Sequence, residues 1–380
     1  MPENPYLYGV PVTGKSFAGR EDELRVLVAR VRSGINVALI APRRLGKSSL
    51  VAQGKQVLEQ GRPKAAVMLV NALQCATPSD LAGAFASGAY RLPGGWRRVK
   101  DSLAAFLGRL RISPTLSIGH DGSPVFGFDP RLDTPSAVRT IESVFALMAE
   151  LAKDRPACVV VDEFQAVTGI APNLPGVFKA LADRYGTVSL VVAGSHHHMM
   201  EGLVLARSSP LYGMTEPIFL APIDRDVMVE FIARRARESG KPMTREAAAH
   251  LVDAAAPAPN DIQRLAFEAW DMAKTRVNSE DVDRGLSQAV KHQSANYAQV
   301  VSGLTPNQHR VLRALAQSPT STPHGAHFVR RADVANASSV GKALRALELA
   351  QLVVNREGRW DVDDPFLREW LRSGTAEPLA

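Results

Sequence analysis

A chain of 380 residues is long enough for two or three domains of about 150 residues each, and its 46% apolar and 22% charged residues match ordinary globular proteins. That balance excludes disordered, collagen-like and coiled-coil classes, and no run approaches the ~18 uninterrupted apolar residues of a membrane span. The excess of 45 basic over 38 acidic residues, net +7, permits an anionic partner such as nucleic acid without requiring one.

The first residues, Met1-Pro2-Glu3-Asn4-Pro5, lack the basic-then-apolar order of a secretory signal. Cys75 and Cys158 each sit in an apolar, strand-like stretch and read as reduced core residues of a cytoplasmic protein. The run 34–40, entered from Gly34, reads as a buried strand. It leads into Ala41-Pro42-Arg43-Arg44-Leu45-Gly46-Lys47-Ser48-Ser49-Leu50, and a helical pattern continues through Val51, Val57 and Leu58. A strand, a loop ending in Gly-Lys-Ser and a helix form the context of a phosphate-binding loop. Unpaired amides at the helix N-terminus, with the positive end of its dipole, suit a β-phosphate. In that arrangement Lys47 neutralises the β and γ phosphates and the Ser48 hydroxyl ligates Mg²⁺. Without the flanking strand and helix, Gly-Lys-Ser would be an ordinary loop.

Farther on, Arg91, Arg97, Arg98, Lys100, Arg109 and Arg111 cluster with Trp96. They describe either a nucleic-acid contact, with indole stacking and cations on phosphate, or a solvated amphipathic helix. Alternating apolar residues on either side of Asp121-Gly122 predict a hairpin. The run 157–161 reads as a strand buried on both faces that ends in Asp162 and Glu163. Ligands of open α/β sheets sit at that end of the strands, so Asp162 is placed to hold Mg²⁺ through water and Glu163 to orient or deprotonate the attacking water. A third strand, 188–194, delivers Ser195 as a candidate to sense the γ-phosphate or the water. His196, His197 and His198 point in different directions and lack acidic or Cys partners at ligand spacing. They read as a solvated loop or helix start rather than a metal site.

From Pro222 the pattern turns helical, with helices expected over 225–237, 245–254, 261–275 and 280–291, and with Thr244, Asn260 and Ser279 as N-caps. Thr305-Pro306-Asn307-Gln308 is a capping box with Pro at the first helical position. Two further helices follow, the second over 338–347, and then a β-ribbon over 352–362 turning at Glu357-Gly358. Three helices and a ribbon describe a winged helix. On DNA, Ser338, Ser339, Lys342 and Arg345 would enter the major groove, with Arg356 and Arg359 against phosphates. Between 301 and 380 ten basic residues face eight acidic ones, so docking a protein partner is the alternative.

Taken together, the chain resembles the archaeal-type ATPases, in the AAA+/STAND group of P-loop NTPases near the origin-recognition ATPases. The resembling residues are Asn4-Pro5-Tyr6, Tyr8-Gly9-Val10-Pro11-Val12, Phe17-Ala18-Gly19-Arg20-Glu21, the loop 42–50 and Asp162-Glu163-Phe164-Gln165. Ala193-Gly194-Ser195, Ser209-Pro210-Leu211-Tyr212-Gly213, and Asp364-Pro365-Phe366-Leu367 with Trp370-Leu371 complete the set. The resemblance implies an α/β P-loop NTPase base over 1–222, a helical lid over 223–297 and a winged-helix domain over 298–380, using ATP and Mg²⁺. It implies that Arg20 lines the adenine pocket, and that Arg264 is either a second phosphate sensor or a surface arginine. In the family Tyr-Gly is followed by an arginine that acts on nucleotide in cis or across a homo-oligomer interface. Here that residue is Met214, with Arg207 the nearest basic residue upstream. Ala41 likewise stands where the family loop opens with Gly. Two functions follow: an ATP-hydrolysing switch or motor on DNA, or a slow STAND-type signalling ATPase whose winged helix docks a protein.

Overall fold

The computed structural model describes residues 3–92, 115–118, 124–127, 133–195 and 197–374. The chain divides into two compact units, Val10–Ile223 and Met1–Gly9 together with Asp224–Ala380.

The strands of the first unit are β1 (Val37–Ile40), β2 (Ala66–Asn71), β3 (Thr115–Ile118), β4 (Pro124–Gly127), β5 (Ala157–Asp162), β6 (Val188–Gly194) and β7 (Glu216–Phe219). Five of them form one parallel sheet in the order β2-β5-β6-β1-β7. Strands β3 and β4 pair antiparallel on their own, as expected around Asp121-Gly122, although the turn itself lies outside the described residues. Apart from Arg91, the basic cluster with Trp96 also lies outside them.

The strand sequences are apolar at successive positions because helices cover both faces of the sheet. Val37 and Leu39 of β1, Cys158 and Val160 of β5, and Val191 and Ala193 of β6 face one core. That core is closed by Leu27 and Val31 of α1 (Glu21–Arg32) and by Leu50, Val51 and Leu58 of α2 (Lys47–Gln60). The intervening residues Ala38, Ile40, Val159, Val161, Leu190 and Val192 face the other core. Helices α3 (Pro78–Tyr90), α4 (Thr134–Ala152), α5 (Val167–Ile170), α6 (Leu174–Arg184) and α7 (His197–Val204) cover it, and Ala66, Met68 and Val70 of β2 join it from the sheet. At about 1.5–3 kcal/mol for each large side chain buried, these two cores dominate the stability of the unit. Cys158 is fully buried in β5, whereas half-buried Cys75 follows a short 3-10 turn after β2 instead of lying in a strand.

The sheet order positions the site. Strand β6 lies between β1 and β5, so its C-terminal end emerges between the loop after β1 and the acids after β5. Asn36 and Ser189 fix that placement from the opposite end. The Asn36 Oδ1 accepts from Leu190 N at 2.8 Å, and the Ser189 Oγ donates to Ile35 O at 2.5 Å.

In the second unit the helices are α8 (Arg225–Glu238), α9 (Arg245–Ala255), α10 (Pro259–Met272), α11 (Ser279–Ser302), α12 (Pro306–Gln317), α13 (Ala326–Arg331), α14 (Ala337–Leu349) and α15 (Pro365–Arg372). The ribbon comprises β8 (Val353–Arg356) and β9 (Arg359–Val362), and an isolated antiparallel bridge joins Thr320 to Trp360 of β9. Glu357 and Gly358, at φ +51° and +85°, make the expected turn. The Thr305–Gln308 capping box forms as expected, and Thr244 caps α9.

Two caps differ from expectation. Helix α10 starts two residues earlier than Asn260 suggests, because Pro259 presets the first helical φ after Ala258. Asn278, not Ser279, caps α11, since its Oδ1 and the Asp281 carboxylate exchange hydrogen bonds with each other's backbone N–H. Helix α11 also runs to Ser302, past the expected lid boundary at 297. Its last turns are held by Tyr297, whose ring lies 6.0 Å from that of Trp370, and by the Ser294 Oγ, which accepts from Trp370 Nε1 at 2.9 Å.

The first nine residues, grouped with the base in the sequence reading, fold with this second unit. Tyr6 is fully buried and donates its hydroxyl to Ile232 O at 2.8 Å. Asn4 Nδ2 donates to Phe267 O at 3.0 Å, and Arg235 donates to Pro5 O at 3.0 Å. Among the described residues no helix is long and apolar enough to cross a membrane.

Candidate functional site

The loop after β1 turns twice through left-handed backbone, at Arg44 (φ +66°) and Gly46 (φ +88°), before α2 begins at Lys47. No heavy atom lies within 4 Å of where a Gly46 Cβ would stand, which leaves backbone and open space at the helix N-terminus. Ala41 has a negative φ, is fully buried, and donates its N–H to Gly194 O at 3.3 Å. A methyl is therefore accommodated where the resembling family has Gly. Leu45 and Lys47 are buried, Pro42, Arg43, Arg44 and Ser48 are exposed, and the Ser49 Oγ accepts from Val12 N at 3.1 Å.

Lys47 turns its amine toward the end of β5. The Lys47 Nζ donates to Asp162 Oδ1 and, at 3.1 Å, to Glu163 Oε1. Glu163 occupies a left-handed conformation (φ +53°, ψ +43°), and Phe164 beside it is fully buried, edge-on to Phe178 at 5.3 Å. That ring is the anchor of the segment. It lets the chain leave the strand abruptly and sends the Glu163 carboxylate across the sheet end toward β6. There the Ser195 Oγ donates to Glu163 Oε2 at 2.8 Å, and Gln165 Nε2 donates to the same oxygen at 2.5 Å. Burial pushes the Glu163 carboxyl toward protonation, but Gln165, the Lys47 charge and Ser195 outweigh it and hold the group below its usual pKa of 4.5.

The structure thus brings Lys47, Asp162, Glu163 and Ser195 into one hydrogen-bonded cluster at the C-terminal edge of the sheet. Gln165 belongs to that cluster too. The sequence named it only within the Asp162-Glu163-Phe164-Gln165 resemblance, and its signal was a polar residue two positions beyond the acids. Arg20 meets the loop from behind: it is buried, ion-paired to Glu23 at 2.7 Å, and donates to Leu45 O at 3.0 Å and to Ala221 O. Its guanidinium is engaged with backbone carbonyls that shape the phosphate loop. Met214 packs partly buried against the apolar core, and Arg207 is exposed. In the second unit Arg264 donates to Ala289 O at 3.1 Å and lies 4.6 Å over the Phe366 ring. His197 opens α7, and His196 lies outside the described residues.

The donor set fits Mg–nucleotide: an open helix N-terminus, a cation on the loop, an exposed hydroxyl at Ser48 and a carboxylate at Asp162. Ala41 through Ser49 would surround the phosphates, and Ser48 with Asp162 would hold the metal.

A family model described as a probable winged helix domain matches residues 295–373. No curated protein matches the chain. Among solved structures, the Walker-type ATPase PABY2304 of Pyrococcus abyssi aligns with a TM-score of 0.64 and 18% identity, over 94% of this chain and 97% of that one. The ORC1 protein of Aeropyrum pernix, solved in complex with DNA, aligns with a TM-score of 0.53 and 16% identity, over 95% of this chain and 94% of that one. At such identities the likeness is one of fold. The chain accordingly has the fold of these P-loop ATPases, a parallel five-stranded sheet with surrounding helices followed by a C-terminal winged helix domain.

Proposed function

We propose that this chain binds and hydrolyses ATP with Mg²⁺, and that it works as an AAA+-like switch or motor associated with DNA through its winged helix. The observation that carries the reading is the Lys47 amine held between Asp162 and Glu163, with Ser195 on the same Glu163 carboxylate. A cation and two carboxylates gathered at the phosphate loop supply the charge and the base that hydrolysis needs, since phosphoryl transfer is mainly positioning and electrostatics.

Triphosphate entering the loop draws Lys47 off the carboxylates, because the charge of three phosphate groups outcompetes the two carboxylate oxygens for the ammonium. Glu163 then orients the attacking water and accepts its proton, while Ser195 reports the state of the γ-phosphate. Ser48 and Asp162 would hold Mg²⁺, which would supply further neutralisation of the phosphate charge. Arg20 maintains the loop by holding the Leu45 carbonyl.

DNA association is supported by the winged helix. Ser338, Lys342 and Arg345 are exposed at four- and three-residue spacing, on one face of α14. Arg359 is exposed on the ribbon, whereas Arg356 is ion-paired to Asp363 at 2.9 Å and is less available to phosphate. The DNA complex of the Aeropyrum pernix ORC1 protein gives this reading a precedent in fold.

Met214 supports a second reading. Its side chain packs partly buried against the apolar core where the resemblance expects an arginine, which favours a slow STAND-type switch that recruits a protein partner. In a homo-oligomer the exposed Arg207 could act on a neighbouring copy's nucleotide instead.

ATP turnover by the purified protein, with and without duplex DNA, tests the proposal against Lys47→Ala and Glu163→Gln. Turnover that rises with DNA and falls to a small residual rate in both variants supports the DNA-associated ATPase. Tight ATP binding with negligible turnover in both conditions refutes the motor and leaves the protein-docking switch.

A further inference from the structure

We infer that Gln165 is a positioning residue for Glu163: it holds one carboxylate oxygen so that the other becomes the acceptor for water once phosphate draws Lys47 away. The inference rests on the reading of the site as an ATPase. Its starting point is the unequal treatment of the two Glu163 oxygens. Oε2 accepts two hydrogen bonds from groups fixed in the fold, Gln165 Nε2 at 2.5 Å and Ser195 Oγ at 2.8 Å. Oε1 accepts from Lys47 Nζ at 3.1 Å, the one donor that a triphosphate would remove. Departure of Lys47 therefore frees Oε1 alone and leaves the carboxylate unable to spin.

Gln165 is built for that task. Its side chain is 4% exposed, so the amide is locked by packing. Its backbone is tied down on both sides, by the buried Phe164 ring and by Thr168, whose Oγ1 donates to Gln165 O at 2.9 Å. The other half of the amide, Oε1, is buried without a hydrogen-bond partner among the described residues. It lies against Gly194, where an added Cβ would come within 2.5 Å of it and within 2.4 Å of Met200. A glycine at the end of β6 is thus what gives the amide room. Turning the amide over would satisfy nothing, because it would aim the carbonyl at a carboxylate. An unsatisfied buried carbonyl is costly to keep, and here it is retained on the side that leaves Nε2 for Glu163.

Ser195 and Gln165 restrain the same oxygen from two elements, the end of β6 and the turn after β5. A general base must be held to within a fraction of an ångström of its working geometry, and displacement of about 1 Å can cost 10²-fold in rate.

The test uses the full-length protein and the near-isosteric Gln165→Met, which keeps the bulk and removes the donor. Its kcat for ATP is expected to fall by about 10–100-fold while the Kd for a non-hydrolysable ATP analogue stays within about twofold. In a Glu163→Gln background the same substitution should cause no further loss of the residual rate, since the base it positions is gone. A purely structural role would lower the rate equally in both backgrounds and weaken analogue binding as well. Gln165→Leu, which likewise removes the donor at similar volume, is the second variant should Gln165→Met fold poorly, and it too should lower kcat without changing analogue affinity. Wild-type kcat in Gln165→Met, or a loss that persists in the Glu163→Gln background, overturns the inference while the ATPase reading stands. A wild-type protein that turns over no ATP, with or without DNA, overturns both.

Discussion

Replacing Lys47 by Met in the nucleotide-free protein removes the ammonium from between two carboxylates while keeping the length of the side chain. The Lys47, Asp162 and Glu163 side chains are 6%, 12% and 17% exposed, so the cluster is largely shielded from water. Taking one partner from a buried ion pair costs about 3–5 kcal/mol, and the residual exposure of the carboxylates places this case near the lower end, about 3 kcal/mol. For a unit the size of Val10–Ile223, at about 2–4 °C per kcal/mol, Tm should fall by about 6–12 °C. The loss should depend on pH. In the wild-type protein Glu163 is held below 4.5, so its stabilising contribution is present at neutral pH and disappears as the pH drops through that lowered value. In Lys47→Met the Glu163 carboxyl loses its cation, and burial favours its neutral form. The gap between variant and wild type should therefore narrow on acidification. Thermal melts followed by circular dichroism from pH 7 down to pH 4 measure both effects. Mg–ATP at 100 times its Kd should add about 2.7 kcal/mol to the wild type and far less to the variant. A variant that melts with the wild type at neutral pH, without nucleotide, would refute the view that Lys47 neutralises a buried carboxylate pair.

Other consequences can be checked by similar means. Gly285→Ala places a methyl 2.6 Å from Ala269 N and 2.9 Å from its Cα, forcing α10 and α11 apart; it should cost about 1–3 kcal/mol or more in denaturant unfolding. Tyr6→Phe leaves Ile232 O without its buried donor and should cost about 1 kcal/mol, whereas Tyr6→Ala should cost about 3–5 kcal/mol through the cavity it opens. Thr305→Ala breaks the capping box of α12 and should lower stability by about 1 kcal/mol in the same unfolding experiment. Lys342→Ala should weaken duplex binding evenly across sequences and reduce the salt-dependence slope by about one, as fluorescence anisotropy over a range of salt would report; an unchanged slope would remove α14 from the DNA interface.

Strands β1, β5 and β6 and the phosphate loop were legible because their signals are local, whereas the edge strands β2 and β7 were not read from the sequence. A parallel strand buried on both faces is written as an unbroken apolar run; Asp162, Glu163 and Ser195 stand at the ends of such runs, and Lys47 lies one short loop beyond Ile40. Caps were legible where one polar residue stood alone, as at Thr244 and Thr305. At α11 two candidates adjoin, and the choice of Asn278 over Ser279 depends on which side chain faces the Asp281 amide. The extension of α11 to Ser302 depends on Trp370, seventy-six residues from Ser294, which no local pattern records. Gln165 escaped notice for a similar reason. Its meaning lies in Gly194 and Ser195, on a different strand. Arg20 was found through resemblance, but its hydrogen bonds to Leu45 and Ala221 come from the folded chain alone.

The anchoring of Tyr6 beneath Ile232 gives the molecule an unusual connectivity. The polypeptide passes between its two units twice, after Gly9 and again after Ile223, so the sheet unit is an insertion within the other. During synthesis the segment carrying Tyr6 emerges first yet has nothing to bind until more than two hundred further residues have been made. The inserted unit can complete its own core in the meantime. A single cut after Ile223 would divide the chain into two fragments held together by noncovalent contacts, those of Asn4, Pro5 and Tyr6 among them, so they should separate on a denaturing gel yet co-elute under native conditions.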